Sequence, residues 1–221
     1  MILDTSSLIK TIDHINEIHL QGETISSKEN LEIAHWIVAQ QGQKGSYRGM
    51  PAPTQADFDH GIRTFTGEGL AAASARHITG QEAARVTWLL GSSDPAIRGA
   101  YEQATTWMHD NEEFHNTGTF CCGRCTLAFW RHYWVGDFKQ KEDHLNRGIQ
   151  LLKSRRTGDG RWHRFPFYYA IYTLIDIALE PALTELRYAR SLLEKYANNS
   201  RDDVYSNRRR AIMINALARL G

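Results

Sequence analysis

Three cysteines in 221 residues are too few for a disulfide framework, and all three fall within five positions, Cys121 to Cys125. A reducing cytoplasm is the location that follows. Charge of one sign is also missing: 26 Lys and Arg stand against 25 Asp and Glu, for a formal net charge of +1. That argues against a dedicated nucleic-acid surface, which needs a basic excess. No apolar run approaches the length of a membrane span. The opening MILDTSSLIK lacks the basic start and apolar core of a secretory leader. Strand periodicity is absent as well, with no segment alternating apolar and polar residues. What is there is 42% apolar residues in a chain of 221, a length enough for one good core and short for two. The expectation is a single all-α domain over residues 1–221, of about eleven helices, with no reading of oligomeric state.

Taken in order, a first helix is predicted over Thr5–Leu20, capped by Asp4, Thr5 or Ser6, and a second from Ser26 to Gln41 with a Ser26/Glu29 capping box. A third runs from Gln55 to Phe65, after the stiff stretch Met50–Thr54. Leu70–Ile78 and Gln81–Leu90 are expected as two helices split at Thr79-Gly80, and Ala96–His109 as one with Pro95 at its first turn. From Glu180-Pro181 one helix is expected, with Leu183, Leu186, Ala189, Leu193 and Tyr196 along a single stripe, and Tyr205–Leu220 forms the last.

The most informative stretch is Gly118–Leu179, which holds all three cysteines and Trp130, Trp134 and Trp162. Thr119–Val135 reads as a helix apolar on nearly every side. Lys139–Arg155 is amphipathic, with Leu145, Ile149 and Leu152 as its stripe. A Gly158-Asp159-Gly160 turn follows, anchored by Trp162, and Pro166 opens another apolar helix. Gly45-Ser46-Tyr47 echoes Gly160-Arg161-Trp162 and reads as a degenerate internal repeat.

The run from Leu151 to Leu179, with D-G-x-W at Asp159–Trp162, resembles the repeat of the terpenoid cyclases and protein prenyltransferases, an outer helix, a Q-x-x-D-G-x-W loop and an inner helix. The usual glutamine is missing. The resemblance implies an α/α toroid, or an incomplete one, of alternating inner and outer helices. It implies a site in the central mouth that binds an apolar small molecule or acts on one. A non-enzymatic helical scaffold is the competing class. The D-x-D-D acid of the cyclases, their D-D-x-x-D/E magnesium motif and the D-x-C zinc motif of the prenyltransferases are all absent.

Candidate site residues follow from chemistry. Cys121, Cys125 and His132 share a predicted helix face, and thiolate and imidazole are zinc's usual ligands. Inert packing is the preferred reading of this group, so no cofactor is expected. Zinc completed by His163, His115 or Asp110 is the alternative, and a redox or nucleophilic cysteine another. Asp57 and His60, with Asp59 between them, put carboxylates and an imidazole within one turn for acid–base work. Trp130, Trp162, Tyr168 and Tyr172 are the ligand-binding candidates, since aromatic rings line the cavities of the cyclases; core packing is the plainer account. Asp110–Glu113 and Arg208–Arg210 read as solvated faces.

Overall fold

Twelve α-helices and no strand make up the described residues, 2–199 and 201–221, of the computed structural model. The all-α expectation therefore holds. Among the described residues no helix is long and apolar enough to cross a membrane. The chain divides into two compact units, Met1–Arg63 with Gly69–Asn111 and Val135–Phe138, and Thr64–Glu68 with Glu112–Trp134 and Lys139–Gly221.

The first unit holds α1 (Leu8–Leu20), α2 (Ser27–Val38), α3 (Gln55–His60), α4 (Ala72–Gly91) and α5 (Pro95–His109). Side-chain caps set most of their starts. Ser7 accepts from the Lys10 amide, Ser26 from Glu29, and Asp94 from Ala96 and Ile97. Each satisfies an N–H that the first turn leaves without an intrahelical partner. Leu8, Ile12 and Ile15 of α1 pack with Ile33 and Ile37 of α2, Val86 and Leu90 of α4, and Ile97 of α5. Each such side chain, fully buried, contributes about 1.5–3 kcal/mol.

α4 corrects the predicted break at Thr79-Gly80: it runs through both residues unbroken. A Cβ on Gly80 would lie 3.1 Å from the Met50 Cβ. The glycine makes room for that neighbour and ends nothing. Glu82 takes no part in a cap; it pairs with Arg85 at 3.0 Å.

The second unit holds α6 (Glu112–Thr117), α7 (Gly123–Val135), α8 (Lys141–Ser154), α9 (Phe167–Asp176), α10 (Glu180–Tyr188), α11 (Arg190–Ala197) and α12 (Val204–Ala218). α7 is buried on every side from Cys125 to Tyr133. Its Arg131 is balanced by Asp176 at 2.8 Å and lies 3.7 Å from the Tyr172 ring centroid. α8 buries Leu145, Ile149 and Leu152 as its stripe predicts. Between α8 and α9 the turn uses Gly158 and Gly160 at φ +89° and +88°. An Arg156–Trp162 bridge closes it, and the Tyr188 hydroxyl accepts from the Gly158 amide. The stripe after Pro181 belongs to two helices, because the chain turns at Ala189. The arginines at 208–210 are not simply solvated. Arg208 donates to the Phe65 carbonyl, Arg209 to Thr66 and Arg210 to Ala197.

Candidate functional site

α7 begins at Gly123, four residues later than its composition predicts. The reason is a local clip. The Phe120 amide donates to the Thr126 hydroxyl at 3.0 Å, and that hydroxyl donates back to the Phe120 carbonyl at 2.9 Å. The first ladder bond then runs from the Thr126 amide to the Cys122 carbonyl. Cys121 lies outside the helix in a left-handed conformation, φ +58°. Its predicted place on one helix face with Cys125 is therefore corrected. The loop brings the two together another way and adds Cys122: the three sulfurs lie within 4.8 Å of one another.

A second loop walls the site. A Cβ on Gly123 would collide with the Arg164 carbonyl, so only glycine lets His163–Phe165 approach α7 so closely. Arg164 is itself left-handed, at φ +66°. Strain of this kind costs on the order of 1–3 kcal/mol per residue and gathers at functional sites. Of the four non-glycine residues with positive φ among those described, Cys121 and Arg164 both face the same cavity.

That cavity has a volume of about 780 Å³, and Cys121, Cys122, Arg124, Arg155, His163 and Arg164 line it, with no carboxylate among the lining residues. The thiols differ in character. Cys121 and Cys122 are exposed and Cys125 is buried. Burial works against a Cys122 thiolate. Hydrogen bonds from the backbone and thiol of Cys125, the Arg124 amide and the Cys121 thiol outweigh it, so Cys122 ionises below the ordinary thiol range. Burial, and then the negative charge of its neighbours, push the Cys125 thiol well up. The sulfur spacing would let one soft cation touch all three, and among the described residues no other group of His, Cys, Asp and Glu is so placed. A buried thiol that holds its proton suits a dithiol better than a set of three thiolates.

The other expected site residues lie elsewhere. Asp57, in the first unit, is buried and occupied by two helix starts: it accepts from the Ser7 hydroxyl, the Leu8 amide at 3.1 Å and the Thr54 amide at 2.8 Å. His60 is exposed and bonds the Ala56 carbonyl through Nδ1, while Asp59 accepts from Gln55. His132 is fully buried and outside the sulfur group. Trp130 is core, its indole donating to the Gly118 carbonyl at 2.7 Å. Trp162 is core against Glu185, and Tyr172 stacks on Phe65. Tyr168 lines a smaller cavity, of about 250 Å³, with Arg209 and Arg210.

Cys122, Arg155 and Arg164 are not among the site residues expected from the sequence. The first carries a readable signal, the C-x-x-C spacing of Cys122 and Cys125. The arginines carry none, since they reach the site from another loop. No family model, no curated protein and no solved structure matches the chain. The resemblance at Asp159–Trp162 stands on those residues alone.

Proposed function

We propose that the second unit performs thiol–disulfide exchange in the cavity ahead of α7, with Cys122 as the attacking thiol and Cys125 as the resolving one. One observation carries this reading: an exposed and a buried thiol sit within 4.8 Å across a helix start that opens on a cavity. Amides at such a helix end stabilise the thiolate, which is the nucleophile.

The steps balance without a further reagent. The Cys122 thiolate attacks one sulfur of a substrate disulfide, forms a mixed disulfide and expels the first substrate thiolate. That thiolate takes the proton of Cys125. The Cys125 sulfur attacks Cys122, closes the Cys122–Cys125 disulfide and expels the second thiolate, which is protonated from water. The protein is oxidised by two electrons and the substrate disulfide is reduced to two thiols.

This reading puts an enzyme-like site where the sequence analysis preferred inert packing, and favours it over a bare scaffold. A reducing cytoplasm suits a resting dithiol. The toroid belongs to the same proposal. Its support is the order of α8, the turn and α9: α8 is exposed on one face, whereas α9 is buried from Tyr169 to Leu174.

Two measurements test the exchange. Cys122→Ser should abolish reduction of a small disulfide, while Cys121→Ser/Cys125→Ser should stop at one mixed disulfide per chain, seen by intact mass. Failure of the double variant to trap that adduct, or one tightly bound zinc per purified chain, would sink the proposal. The thiol reactivity of the native chain should also be pH-shifted. A free thiol loses half its alkylation rate near about pH 8.5. Cys122 ionises lower, so its thiolate persists to more acidic pH. Its alkylation by iodoacetamide, followed by peptide mass, should reach half-rate below that of free cysteine. A half-rate at or above that of free cysteine would contradict the ordering.

A further inference from the structure

We infer that the substrate is a small disulfide bearing carboxylates, bound by Arg155 and Arg164. The inference rests on the exchange chemistry above and adds what the chemistry leaves open, the charge of the molecule being reduced.

Arg124, Arg155 and Arg164 line the cavity with His163, and neither Asp nor Glu lines it. The exposed guanidiniums of Arg155 and Arg164, in a concave lining that holds no carboxylate, make a basic field that concentrates anions and speeds their arrival. The start of α7 adds to it, since the amides of a helix's first turn carry partial positive charge. Arg155 and Arg164 are exposed at the wall, where a guanidinium's paired donors match a carboxylate. Leu151, Phe165 and Pro166 also line it. They give an apolar surface for the short methylene chain between a carboxylate and its sulfur. The volume, about 780 Å³, falls within the roughly 300–1,000 Å³ typical of small-molecule sites.

Polar and charged ends, with only a short apolar middle, differ from the apolar ligand that the cyclase resemblance implies. The chain's near-neutral formal charge of +1 makes the clustering local: the cavity is basic although the protein is not.

The test compares three disulfides of matched size on the full-length chain. Dithiodipropionate carries two carboxylates, cystamine two ammonium groups, and bis(hydroxyethyl) disulfide sets the uncharged reference. Reduction of dithiodipropionate should outrun that of cystamine by about tenfold or more at low salt, and the ratio should fall as salt screens the field. In Arg155→Ala/Arg164→Asn the preference should disappear; asparagine tolerates the left-handed backbone at 164. Arg155→Lys/Arg164→Lys should keep part of it. Equal rates for the two charged disulfides in the native chain, or a preference that salt leaves untouched, would overturn the inference and leave the exchange standing. No reaction with any of the three would overturn the exchange itself, and this inference with it.

Discussion

Trp162→Ala should destabilise the protein by about 3–5 kcal/mol, the range for large aromatic side chains removed from a core. Trp162 is 3% exposed. Its ring packs at 6.3 Å from the Phe167 centroid and 5.8 Å from that of Tyr188. Its indole N–H donates to Glu185 at 2.8 Å. Glu185 is buried and also accepts from Arg156 Nε at 3.1 Å and Nη2 at 2.8 Å. Alanine would leave a void and take one donor from a buried carboxylate, and the two losses add. Trp162→Phe keeps most of the ring volume and loses the donor, so it should cost less. Urea unfolding followed by circular dichroism measures both. A near-neutral Trp162→Ala would mean that the D-G-x-W turn is held by something other than its aromatic anchor.

Gly118→Ala should be comparably severe, on the order of 3 kcal/mol or more, because overpacking and an unfavourable backbone act together. Gly118 is buried at φ +68°. A Cβ there would overlap the Gly148 amide and lie 2.5 Å from the His144 carbonyl. These are backbone atoms of α8 and cannot swing aside. Gly148 meets the same limit from its own side, since its Cβ would lie 2.6 Å from Cζ2 of Trp130. Two glycines thus let the turn, α8 and the tryptophan touch directly. Gly158→Ala supplies the contrast. It too has positive φ, +89°, but nothing lies within 4 Å of its added Cβ. It should lose only about 1–2 kcal/mol, for the backbone alone. Similar losses at the two positions would show that the contact with α8 carries no weight.

Most helices were legible because their starts and stripes are local. Ser26 with Glu29, Asp94 before Pro95, and Leu145 with Ile149 and Leu152 each declare themselves within a few residues. The misreadings share one cause, a residue whose role is set from far along the chain. Gly80 looks like a breaker until Met50 is beside it. Thr119–Phe120 looks helical until the Thr126 hydroxyl claims the Phe120 backbone. Arg208–Arg210 look solvated until carbonyls from residues 65, 66 and 197 meet them.

The site was legible to the same degree. Cys121 and Cys125 were marked by their chemistry, and their meeting was expected on a face that Cys121 does not occupy. Cys122 reads as a small buried residue of the helix, but the segment is still a loop there and its thiol is exposed. Arg155 and Arg164 flank the D-G-x-W turn, about thirty to forty residues from the cysteines, and no spacing rule links them. Asp57 beside His60 has the look of an acid–base pair, and the structure gives its carboxylate to helix amides.

The double use of Asp57 ties the start of α1 to a residue far along the chain. Its carboxylate reaches Ser7, 50 residues away, and completes the capping box at Thr54 as well. α1 has 13 residues, close to the roughly 12–15 below which an isolated helix is marginal in water. α1 therefore lacks this contact until Asp57, more than thirty residues beyond its own end, is in place. Closing so long a loop carries an entropic cost that the local turns of α2 do not. A nascent chain or fragment that stops before Asp57 therefore carries α1 without the group that holds its N-terminus.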